Sequence, residues 1–144
     1  MSLQSEDLYQ LSRADVQRLR IEWEEKCASL TRVESNTRCR IFLGDLNSSY
    51  PRYWVTALQG QVGLHILLFY LYRCRIPSLK NDVVSHLCGN TRCCNVNHLA
   101  IEPQKINIQR RVCHGTMADK DGKKSKRGKC DGHSDHRMRR LCVL

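Results

Sequence analysis

Apolar positions follow a helical period in the first part of the chain and a mixed, shorter-range pattern after it. Val16, Leu19, Trp23, Cys27 and Leu30 recur every three to four residues, the spacing of one helix face. Ser12 and Asp15 precede them in the arrangement of a weak capping box. This pattern predicts an amphipathic helix over 13–29, with Trp23 and Cys27 in the core. Residues 1–11 read as a loose leader and 31–38 as a polar linker. Cys39–Leu43 has the composition of a short strand, ended by Gly44-Asp45, and Asn47–Pro51 is turn material. Arg52–Leu58 fits a second strand. Val62–Arg73 is apolar nearly all round and predicts a buried helix.

Pro77 and the polar run 78–82 close this half. Val83–Leu87 is β-prone, and a Gly-Asn-Thr-Arg loop separates it from a short strand, His98–Ile101. Glu102-Pro103 opens a helix, with proline in a first-turn position that suits it. That helix carries Asn107 and runs to about Arg111. The local order is strand, loop, strand, helix. From Ala118 to Lys129 the chain is ADKDGKKSKRGK, a flexible basic loop by composition. These shifts divide the chain at 1–30, 31–112 and 113–144.

Charge adds a partner to this picture. The net charge is +10, and it is uneven. Residues 1–80 hold 11 Lys/Arg against 8 Asp/Glu, and residues 81–144 hold 13 against 6. A positive C-terminal half suits a polyanion, although a soluble basic face is the plainer reading. The first ten residues, MSLQSEDLYQ, do not resemble a signal peptide. No apolar run approaches the ~18 residues that span a bilayer. An intracellular protein with no membrane partner is expected. Nine cysteines mixed with histidines at short spacings then point to zinc before disulfides.

Two clusters carry that chemistry. Cys88, Cys93 and His98 supply three soft ligands within eleven residues, and structural zinc takes four. Cys39 is the preferred fourth, with Cys94, Cys74 and Cys27 as rivals. Cys94 adjoins Cys93, and neighbours on an extended segment point opposite ways. Cys113, Cys130, His133 and Cys142 form a second set of four, in which His136 could replace His133. That tail has little core of its own, and a bound metal would order it.

His86 precedes Cys88 by two residues and is not needed for the first zinc set if Cys39 contributes. A histidine held beside a rigid loop with one nitrogen free makes a general base near neutral pH. Asn107, on the following helix, offers a hard amide oxygen suited to Mg²⁺. A base for water and one such ion at a phosphate suffice for phosphodiester hydrolysis.

The segment SHLCGNTRCCNVNHL followed by Asn107 resembles the His-Cys box homing endonucleases, a branch of the ββα-metal (His-Me finger, HNH-like) nucleases. The match is firm over 83–113, looser over 39–82, and by ligand type over 113–142. It implies an α+β fold: a small zinc-stabilised ββα-metal domain with short antiparallel strands, flanking helices and a zinc-bound C-terminal tail. Residues 31–112 would be the nuclease core. The resemblance implies His86 as the activator of water and Asn107 as the single protein ligand of a catalytic Mg²⁺, for which Mn²⁺ could substitute. It implies zinc on Cys39, Cys88, Cys93 and His98, and a second zinc on Cys113, Cys130, His133 and Cys142. Arg52 resembles an arginine placed near the scissile phosphate. The partner would be double-stranded DNA. Family members can dimerise through a longer C-terminal tail than the two residues after Cys142 here, so a homodimer stays open.

Arg110 and Arg111 share a helix face with Asn107 and are expected to hold phosphates. Lys123, Lys124, Lys126 and Arg127 are expected to follow the backbone with little sequence choice. The same Lys-rich run would serve as a nuclear localisation signal. The competing readings are a zinc-stabilised nucleic-acid-binding module without catalysis and a protein-interaction zinc domain.

Overall fold

The computed structural model describes residues 1–44 and 50–113, with the side chains of 112 and 113 left aside. Helix α1 spans Arg13–Leu30. Its capping box is complete: Ser12 Oγ accepts from Asp15 N at 3.0 Å, and Ser12 N donates to the Asp15 carboxylate at 3.1 Å. Strand β1, Thr31–Val33, pairs antiparallel with β2, Arg40–Phe42. The expected linker 31–38 therefore begins as a strand. Thr31 is β-branched and buried, and it packs at the end of α1.

Strand β3, Arg52–Val55, pairs with β4, Gly60–Gly63. Helix α2, Leu64–Arg73, follows directly. The helix expected from Val62 thus starts two residues later, because Val62 belongs to the hairpin. Leu64, Leu67, Leu68, Phe69 and Leu71 are all buried, so α2 is the central element of the core. Strand β5, Asp82–His86, pairs with β6, Leu99–Pro103, and α3, Gln104–Cys113, follows. Pro103 ends the strand, so the helix opens one residue after it.

Residues 1–11 are not a loose leader. Leu3, Leu8 and Leu11 join Val55, Val62, Leu67 and Leu71 in one core cluster. Ser2 forms a single parallel bridge with Gln61 of β4, with Leu3 N donating to Gln61 O at 2.7 Å and Gln61 N donating to Met1 O at 2.8 Å. Gly60 makes room for this segment, since a Cβ there would lie 2.6 Å from Leu3 Cγ.

Candidate metal centre and active-site cavity

The loop between β5 and β6 folds tightly. Gly89 has φ 71°, a left-handed conformation that glycine adopts without penalty. Its N–H donates to His86 O at 2.9 Å, and Leu87 N donates to His98 O at 2.7 Å. The loop then crosses to β2, where Phe42 N donates to Arg92 O at 2.9 Å and Cys94 N donates to Arg40 O at 2.6 Å. These backbone bonds bring Cys39 to the loop cysteines.

Cys39, Cys88, Cys93 and His98 are all buried, and one ligand atom from each lies within 4.8 Å of the others. Cys39 Sγ is 3.5 Å and Cys93 Sγ 3.6 Å from His98 Nδ1. A tetrahedral site with Zn–S of ~2.3 Å and Zn–N of ~2.0–2.1 Å would set such pairs at about 3.6 Å. Three thiols and an imidazole at these separations fit zinc. His86 is not in the group.

Cys93 has a thiol lowered to about 5, first because Cys88 donates to its thiolate. The same contact, reinforced by burial, drives the Cys88 thiol upward. Burial raises Cys39 as well. A bound cation would offset the charge that these thiols otherwise place on one another.

The rivals are elsewhere. Cys94 packs with Trp23, Leu64 and Leu68, and burial pushes its thiol up to about 12. Cys74 is exposed, and Cys27 lies half-buried beside Trp23.

His86 ends β5 and lines a cavity of about 340 Å³ together with Tyr50, Ser85, Arg92, Asn107 and Arg111. The ring is buried, and its Nε2 has no hydrogen-bond partner among the described residues. Burial, then the neighbouring His65, hold its pKa down to about 3, against the pull of the Cys93 backbone carbonyl. The ring is therefore neutral at physiological pH. Asn107 faces the same cavity from α3. Its Nδ2 donates to Gln104 Oε1 at 3.1 Å.

A second cavity, of about 470 Å³, shares Tyr50, Asn107 and Arg111 with the first and adds Arg52 and His65. Arg52 Nη2 donates to Ser2 Oγ at 2.9 Å and to Gln61 O at 3.1 Å. Ser2 and the backbone of β4 thus hold this guanidinium.

Arg110 corrects an expectation. It does not face outward to phosphates: its side chain is 1% exposed and paired with Glu102 at 2.7 Å. Helical spacing puts Arg110 one turn from Asn107, but the Glu102 carboxylate beneath the helix draws its side chain inward. Cys130, His133, His136 and Cys142, with Lys123, Lys124, Lys126 and Arg127, lie outside the described residues, as does the side chain of Cys113.

Three residues of the site were not singled out from the sequence. The rings of His65, Tyr50 and His86 form a triangle, with centroids 4.9 Å apart for Tyr50 and His65, 5.0 Å for His65 and His86, and 6.0 Å for Tyr50 and His86. His65 Nδ1 is buried without a partner. The signal was a lone histidine in the first turn of an otherwise apolar helix. Tyr50 sits next to the turn proline. Arg92 donates Nη2 to Gly44 O at 2.5 Å, and its buried Nε is unpartnered.

A buried Cys3His group bracing a strand–strand–helix unit defines a small α+β domain able to hold structural zinc. The chain belongs to the family described as the zinc-binding loop region of homing endonuclease, whose family model matches residues 64–144. That membership supports a nuclease-like function. No curated protein and no solved structure matches the chain. Among the described residues, no helix is long and apolar enough to cross a membrane.

Proposed function

We propose that the chain is an endonuclease that hydrolyses phosphodiester bonds in double-stranded DNA. The observation that carries this reading is the shared cavity, with the unpartnered Nε2 of His86 and the amide of Asn107 on its walls. His86 is the general base. Its Nε2 takes a proton from water as the water oxygen bonds to phosphorus and the P–O3′ bond breaks. Entry of an anionic phosphate favours the protonated ring and so raises a pKa that burial holds low. Bound at Asn107, Mg²⁺ would act as a Lewis acid on the charge that develops at the 3′-oxygen. Arg111, on both cavity walls, and Arg52 hold the phosphate.

Cys39, Cys88, Cys93 and His98 would hold a zinc ion that has no part in the chemistry. It braces the loop whose Cys93 carbonyl orients His86. We propose a second zinc on Cys113, Cys130, Cys142 and either His133 or His136. Lys123, Lys124, Lys126 and Arg127 would follow the DNA backbone, and the same run would direct the protein to the nucleus.

Incubation of supercoiled plasmid with the zinc-loaded protein tests the reading. Nicked or linear DNA should form with Mg²⁺ and not with EDTA. Tight binding with no cleavage in Mg²⁺ or Mn²⁺ would leave a zinc-stabilised binding module in its place.

A further inference from the structure

Helix α3 carries Asn107 to the cavity that His86 lines, yet among its described side chains it has little apolar anchor. Of its residues 104–111, only Arg110 is buried; Ile106 and Asn107 are half-buried and Ile108 is exposed. Among the described side chains, the buried contact that holds the helix is a polar triad. Arg110 Nη2 donates to Glu102 Oε2 at 2.7 Å, and Arg110 Nε donates to Glu102 Oε1 at 3.2 Å. Ser85 Oγ donates to the same Oε1. The carboxylate is 5% exposed and the guanidinium 1%.

Each member stands beside a group of the site. Ser85 is the residue before His86 and lines its cavity. Glu102, on β6, faces Val83 of β5 across the hairpin. Arg110 is one helical turn beyond Asn107. A two-pronged guanidinium–carboxylate pair is directional in a way that apolar packing is not. It fixes both the height and the rotation of α3 against the hairpin. Burying both charges is expensive, and an apolar pair of similar size would stabilise the fold as well or better.

From this geometry we infer that the Ser85–Glu102–Arg110 triad positions Asn107 for its divalent ion. Arg110 and Glu102 are positioning residues and touch neither substrate nor ion. This rests on the role given to Asn107 above.

The experiment uses the zinc-loaded full chain and the double variant Glu102→Leu/Arg110→Met, in which the pair becomes apolar and the fold can persist. Mn²⁺ affinity is read by electron paramagnetic resonance on the complex with duplex DNA, whose phosphates supply the ion's other ligands, and cleavage is followed against Mg²⁺ concentration. Zinc content, fold and KM for DNA should stay close to the parent. Mn²⁺ affinity and kcat should each fall by roughly 10- to 100-fold, the range for losing a ligand's supporting contacts. Arg110→Lys and Ser85→Ala should show smaller losses of the same kind, and they serve as the test if the double variant does not fold. Parent-like Mn²⁺ affinity and kcat in the folded double variant, or in both milder variants, would overturn the inference. Asn107→Ala in parallel keeps the two readings apart. If it binds Mn²⁺ and cleaves like the parent, the role of Asn107 fails, whatever the triad variants do.

Discussion

Cys39 Sγ lies 3.5 Å from His98 Nδ1 although 59 positions separate them. Only the pairing of β2 with the loop between β5 and β6 brings them together. The contact ties the first half of the chain to the segment that carries the chemistry. Cys39→Ser should therefore remove one zinc per chain and lower the melting temperature, while Cys94→Ser keeps the metal. Metal analysis of the two purified variants separates them; equal zinc in both would misplace the site.

The buried pair makes a stability prediction of its own. Glu102→Ala alone leaves the Arg110 guanidinium buried without its carboxylate. Breaking one side of such a pair costs about 3–5 kcal/mol. Urea unfolding should show that loss, and a change under about 1 kcal/mol would mean that water or another group already supports Arg110.

His65 gives a pH dependence with a defined sign. Burial first, and the charge of Arg52 second, depress its pKa from 6.5 to about 4. Below 6.5 the unfolded chain takes up a proton that the folded chain refuses until near pH 4. Stability therefore falls as pH drops through that window, by up to about 1.4 kcal/mol per pH unit for this one proton. In His65→Phe that contribution is absent. The difference in unfolding free energy between variant and parent should change in the variant's favour from pH 7 to pH 5. A constant difference would show that His65 takes up its proton equally in the folded and the unfolded chain.

DNA affinity should depend steeply on salt. Each phosphate contact adds about 0.9 to the slope of log K against log salt concentration. Replacing Lys123, Lys124, Lys126 and Arg127 by glutamine should flatten the slope by roughly 3 to 4 and leave sequence preference unchanged. An unaltered slope would remove this run from the interface.

Much of the metal centre was legible in the sequence, because ligand type and spacing are local. Cys88, Cys93 and His98 declare themselves within one loop, and the opposed directions of Cys93 and Cys94 follow from an extended backbone. Cys39 is preferred from its place at the start of a predicted strand and the family resemblance agrees, while its rivals stay open because strand pairing across 59 residues leaves no local trace. Strand β1 was missed because Arg32 and Val33 are exposed and the stretch reads as polar. Strand β4 was absorbed into α2 because Val62 continues its apolar run. The packing of Leu3 and Leu8 was hidden by the polar residues around them. Arg110 was misread because helix periodicity finds a face, and cannot tell whether that face meets water or a buried carboxylate.

The central claim is that His86, and no other group, accepts the proton from the attacking water. The most direct test is single-turnover cleavage of duplex DNA by His86→Ala at saturating Mg²⁺, with zinc content and DNA affinity checked to match the parent. The cleavage rate should fall by about 10²- to 10⁴-fold, the usual contribution of a positioned general base. A zinc-loaded variant that binds DNA as the parent does and cleaves at the parent rate would contradict the account.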